Sequence, residues 1–156
     1  MESAAEMFFE DFTVGQSFTT RSTSLTENEI VEFAAKYDPQ PFHIDREAAR
    51  HSMYGGLIAS GFQTMGVCFR LFYQEGVLSC NLGSPGIDNI RWLQPVRPRD
   101  TLRTEVEVLA IYPSSSKNDR GRVNMHYRAV NQNGSTVLSM DITHIIKRRP
   151  ERRHTT

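Results

Sequence analysis

After Gly61 the chain runs through Phe62, Met65, Val67, Phe69, Leu71, Phe72 and Tyr73 without presenting a polar face, and Gly76 offers a C-terminal cap. A helix apolar nearly all round is buried rather than laid on a surface. The rest of the chain must therefore wrap the predicted helix Gly61–Glu75. From Ile87 the period changes, and apolar residues alternate as half-buried strands require. Strands are predicted at Ile87–Gln94, Thr101–Tyr112, Arg120–Asn131 and Thr136–Lys147, with Ser17–Ser24 as an earlier one. Gln132-Asn133-Gly134 is the turn between the last two, since Asn-Gly tolerates positive φ. One buried helix beside about five mostly antiparallel strands is an α+β arrangement, with a curved sheet around the helix.

Between the first strand and that helix lie shorter signals. Thr26-Glu27-Asn28-Glu29 is a capping box, followed by Ile30, Phe33, Ala34 and Tyr37 at helical spacing. Pro39 and Pro41 stop this helix, and Asp45 caps a short one through Arg50.

The length of 156 residues suits one domain, placed at 1–147 with 148–156 as a basic, frayed tail. Hydrophobic residues at 38% and charged residues at 23% exclude wholesale disorder. No apolar run approaches the roughly 18 residues of a membrane helix, and the acidic start does not read as a signal peptide. Cys68 and Cys80 lie in apolar surroundings, as buried thiols in a reducing cytoplasm would. The spacing of His, Cys and carboxylates argues against a zinc site. Lys+Arg and Asp+Glu both total 18, so the net charge is zero, and no nucleic-acid motif accompanies the basic tail. The balance is uneven: residues 1–90 carry 5 basic and 12 acidic side chains, and residues 91–156 carry 13 and 6.

Tyr37-Asp38-Pro39-Gln40-Pro41-Phe42-His43-Ile44-Asp45 is the segment richest in chemistry. Two prolines predict a rigid, extended link between a carboxylate and an imidazole five positions apart. Asp38 ends a helix, where the dipole disfavours negative charge. Such a pair, held to one cleft, can orient and deprotonate a water. The same residues equally suit a Pro-rich turn with Asp38 capping a loop and His43 satisfied in the core.

This segment resembles the hydratase motif of the MaoC-like dehydratase family, the (R)-specific enoyl-CoA hydratases, whose pattern is Asp-x-Asn-Pro-aliphatic-His. Asp38, Pro41 and His43 match, with Ala48-Ala49 at the expected distance, while Gln40 replaces Asn and Phe42 an aliphatic residue. Gly55 to Phe62 is similar to the family's run opening the central helix of a hotdog fold, with Ser60 where His is frequent. Asn89 to Leu102 resembles its strand, Pro-Val turn and following loop, and likeness extends from Asp11-Phe12-Thr13-Val14-Gly15 to the last strand.

The resemblance implies a hotdog domain that pairs as a homodimer. It implies hydration of a 2-enoyl-CoA to an (R)-3-hydroxyacyl-CoA, or the reverse. Asp38 and His43 would hold the water, and the Gly61 N–H would polarise the thioester oxygen as a helix N-terminal donor can. Gln40 and Ser60 would support the pair or touch substrate. Arg91, Arg97 and Arg99 could meet the phosphates of coenzyme A, although a solvated basic face explains any one of them equally. No metal or separate cofactor is required, coenzyme A being part of the substrate. Close packing alone would also explain Gly61. Phe62, Met65, Phe69 and Phe72 could line a pocket or fill the core. Two other functions fit the fold: a thioesterase, for which Gln63 and Glu75 are the only comparable polar groups on the helix, and a non-catalytic thioester-binding module.

Overall fold

The computed structural model describes residues 5–152. Its elements are β1 (Ser17–Ser24), α1 (Glu27–Tyr37), α2 (Pro41–Ile44), α3 (Arg46–Arg50), α4 (Gly61–Tyr73), β2 (Asn81–Trp92), β3 (Thr101–Pro113), β4 (Arg120–Asn131) and β5 (Thr136–Lys147). The five strands form one antiparallel sheet in the order β1-β3-β4-β5-β2. Alternation decides which face is inner: Leu102, Thr104, Val106 and Val108 of β3 and Val123, Met125, Tyr127 and Ala129 of β4 are all buried.

Helix α4 packs on β1, β3 and β4. Phe72, fully buried, meets Tyr127 edge-on at 5.3 Å between ring centroids. Burying such a ring contributes about 1.5–3 kcal/mol. The buried polar groups here are paired: Thr104 Oγ1 donates to the Cys68 carbonyl at 2.7 Å, and Thr20 Oγ1 accepts from the Thr104 amide at 2.9 Å. Cys68 itself is buried, which pushes its thiol up to about 11.

The structure corrects several expectations. Helix α4 is not enclosed all round: Val67, Cys68, Leu71 and Phe72 are buried, but Phe62 and Tyr73 are more than half exposed. The sheet covers one side only, because its edge strand β2 leaves the helix's other side bare. The helix ends at Tyr73 with Gln74 as its cap, and Gly76 takes the left-handed turn just beyond, at φ 81°. Strand β2 starts at Asn81, six residues before the predicted Ile87, because Gly83, Pro85 and Gly86 hide its alternation behind register shifts.

The basic run after Lys147 does not fray at once. Arg148 and Arg149 bind Glu10 and Asp11, and their guanidiniums lie over Phe9 and Phe8. Residues 153–156 lie outside the described residues. Among the described residues, no helix is long and apolar enough to cross a membrane.

Candidate active site

Helix α1 begins as predicted: Thr26 Oγ1 accepts from the Glu29 amide at 3.1 Å, and Glu29 reaches back to the Thr26 amide. Its C-cap is Asp38, at φ −155° and ψ 68°. The link to His43 is not extended. Pro41 occupies the first position of α2, a single turn, with Gln40 as the N-cap. Proline suits that position, because its fixed φ is helical and its missing N–H would find no intrahelical partner. The turn swings the imidazole back toward Asp38. Asp45 then caps α3 through the amides of Glu47 and Ala48.

His43 is buried and its two ring nitrogens have different partners. Nδ1 lies 2.6 Å from the Ile58 carbonyl oxygen. A carbonyl only accepts, so Nδ1 carries a proton and donates it. Nε2 lies 3.2 Å from Asp38 Oδ2. Two acceptors cannot face each other there without a proton, so the pair shares one. Phe42 meets the His43 ring edge-on at 4.6 Å and packs on Tyr54, giving the aromatic departure at position 42 a place in the wall.

Two further groups hold Asp38. Ser60 Oγ donates to Oδ2 and Gln40 Nε2 donates to Oδ1, each at 2.7 Å. Partial burial pushes the Asp38 carboxyl up. The Gln40 amide, the Ser60 hydroxyl and His43 together outweigh it, and the net position is below the ordinary aspartate value. Ser60 is fully buried and also caps α4, accepting from the Phe62 amide at 3.3 Å.

Asp38, His43, Gly61 and Gln40 line one cavity of about 560 Å³, with Phe42, Tyr54, Ile58, Phe62 and Trp92 among its other walls. Gly61 is the first residue of α4, so its N–H lacks an intrahelical acceptor. A methyl group at Gly61 would collide with the Trp92 indole. Close packing and an accessible amide thus both call for glycine here. Trp92, which caps the cavity against Phe62, was not singled out from sequence; its being the chain's one tryptophan was the only signal. The role of the Ile58 carbonyl had no sequence signal, since any residue supplies that group.

The three arginines expected to act together are separated. Arg97 and Arg99 line a second, neighbouring cleft, whereas Arg91 on β2 lines neither and hydrogen-bonds its neighbour's carbonyl, Ile90. Alternation along β2 sends Arg91 away from the loop that carries the other two. Among the described residues, no three His, Cys, Asp or Glu side chains gather as a metal site would need.

The family model described as MaoC like domain matches residues 10–131. The chain belongs to the MaoC-like domain family. The crystal structure of a MaoC-like dehydratase from Rhodospirillum rubrum superposes on this MaoC-like chain with a TM-score of 0.85 and 39% identity, covering 93% of this chain and 99% of that one. The protein YdeM of Bacillus subtilis (strain 168) is 34% identical over 143 residues, 91% of this chain and 100% of its own. The (R)-specific enoyl-CoA hydratase of Rhodospirillum rubrum is 29% identical over 111 residues, 68% of this chain and 72% of its own. The MaoC-like domain has the expected hotdog fold, an antiparallel sheet curved about a central helix.

Proposed function

We propose that this MaoC-like protein is a hydro-lyase that reversibly adds water across the double bond of a 2-enoyl-CoA to give an (R)-3-hydroxyacyl-CoA. The observation that carries this reading is the His43 ring, locked by the Ile58 carbonyl at Nδ1 and sharing a proton with Asp38 at Nε2, inside a ligand-sized cavity. The likeness to an (R)-specific enoyl-CoA hydratase supports the same chemistry.

In the hydration direction a water sits between Asp38 and His43. Asp38, kept ionised by its donors, takes a proton from the water as its oxygen bonds to Cβ. The electron pair of the double bond moves onto the thioester oxygen, where the Gly61 N–H stabilises the enolate. The Nε2–H of His43 then protonates Cα. Transfer of the Asp38 proton to Nε2 across 3.2 Å restores the starting state. The two groups titrate as a coupled pair. Coenzyme A enters and leaves as part of the substrate.

The exposed edge strand β2, with Leu82, Ile87 and Trp92 uncovered, supports a homodimer formed through this sheet edge and the bare side of α4. A thioesterase is disfavoured by a specific contact: Glu75, beyond the far end of α4, is tied to Arg21, and Gln63 donates to the Glu29 carbonyl outside the cavity.

Incubation with crotonyl-CoA tests the reading. Loss of enoyl absorbance without release of free thiol is the expected result. Thiol release would make the protein a thioesterase, and binding without turnover would make it a thioester-binding module.

A further inference from the structure

The two segments that wall the active-site cavity continue into a second cleft of about 860 Å³. Ile58–Gly61 and Leu93–Val96 serve the cavity; Gly55–Leu57 and Arg97–Arg99 serve the cleft. The segments are tied together by the Ala59 amide on the Val96 carbonyl at 2.8 Å. Four arginines line the cleft, Arg46, Arg50, Arg97 and Arg99, against one carboxylate, Glu27. The lining thus carries a formal +3 within a chain of zero net charge.

These charges are differently engaged. Arg46 is held by Glu27 through two hydrogen bonds and is locally neutralised. Arg50 pairs with exposed Glu47, which is not part of the lining. Arg97 donates to the Tyr54 carbonyl, a neutral partner that fixes the guanidinium and leaves its charge intact. Arg99 stands at φ 74°, a left-handed conformation rare for a residue with a side chain, and its amide bonds the Leu25 carbonyl at 2.8 Å. Thr26, Glu27 and Asn28 bring the first turn of α1 to the same wall, adding the positive end of a helix.

We propose that this cleft binds the phosphate groups at the nucleotide end of coenzyme A while the acyl group reaches the Asp38–His43 cavity. The proposal rests on the thioester reading above and gives that substrate its second anchor. Guanidinium forks match phosphate oxygens in pairs. The volume lies within the roughly 300–1,000 Å³ of small-molecule sites. Five residues separate Gly56 in the cleft from Gly61 in the cavity, at most about 17 Å of extended chain, a span that a pantetheine arm can bridge. The expectation that the basic half of the sequence alone supplies the docking surface is corrected, because Arg46 and Arg50 come from the acidic half.

The test compares wild type with the double variant Arg50→Gln/Arg99→Asn, asparagine being chosen because it tolerates positive φ. Calorimetry reads binding of 3′,5′-ADP, and kinetics read the preference for crotonyl-CoA over crotonyl-pantetheine in kcat/KM. Affinity and preference are each expected to fall about tenfold or more in the variant, provided its melting curve shows it folded. An unchanged affinity and preference would overturn the proposal. So would displacement by inorganic phosphate as effective as by 3′,5′-ADP, or a wild-type preference for an acyl-carrier-protein thioester over the CoA thioester. If neither thioester is turned over, the hydratase reading fails separately, and 3′,5′-ADP binding that weakens in the variant still supports the cleft.

Discussion

His43 and His144 are both buried, yet they stand in opposite chemical situations. His144, on β5, has Tyr127 Oη 2.6 Å from Nε2, with Ser84 Oγ and Asn81 Oδ1 at 2.9 and 3.2 Å from Nδ1. All of its partners are neutral, and no carboxylate is among them. Burial therefore pushes its pKa down to about 4 and keeps it uncharged, while burial also raises Tyr127. His43 instead meets a carboxylate at the wall of a cavity. Burial alone is a poor sign of a working histidine; a partner that can exchange a proton, with room for a substrate beside it, is the better sign.

The largest expected effect breaks the His43 side of this contrast. Asp38→Asn and His43→Gln should each lower kcat/KM for crotonyl-CoA by about 10³-fold, within the usual range for general acid–base groups. The double variant should be little worse than the poorer single variant, because the two share one proton and act as a unit. Full additivity would show two independent roles. In the wild type, the acid limb of kcat/KM should lie below the ordinary aspartate value of about 3.9, since Asp38 stays ionised as the pH falls.

The next effect falls on His144 and on stability. Its folded pKa, about 4, is below the unfolded 6.5, so the unfolded chain binds the extra proton between them. The stabilisation is complete above pH 6.5 and is lost as pH falls toward 4, by about 3 kcal/mol in all and about 2 kcal/mol by pH 5. Urea midpoints at pH 7 and pH 5 should therefore diverge more in wild type than in His144→Gln. Superposable pH dependences would mean that His144 is not held neutral.

How much of this was legible in the sequence depends on whether the cause was local. The Thr26 capping box, the Asp45 cap and the alternation of β3 to β5 rest on neighbouring residues, and each formed as predicted. The bare side of α4 was not legible: apolar spacing records that Phe62 and Tyr73 avoid water, not which surface covers them. The Asp38–His43 pair was visible as residue types, but its path was misread, since Pro41 serves a helical turn as readily as an extended link. Arg46 and Arg50 were hidden because they join Arg97 and Arg99 only through tertiary packing.

The smallest effect tests what makes the Asp38 environment unlike that of His144. Ser60 and Gln40 each give Asp38 a donor at 2.7 Å, and each holds its carboxyl below the ordinary value. Losing either donor should move the acid limb of kcat/KM to higher pH and lower kcat/KM by about tenfold, as for a hydrogen bond to a charged group. Ser60→Ala also removes the α4 cap and should cost about 1 kcal/mol of stability. Gln40 is exposed, and its side chain caps nothing, so Gln40→Leu should shift the acid limb with little change in melting temperature. A loss of rate with an unmoved limb in both variants would reduce Ser60 and Gln40 to packing. A moved limb in Gln40→Leu alone would assign Ser60 to the helix and Gln40 to the carboxylate.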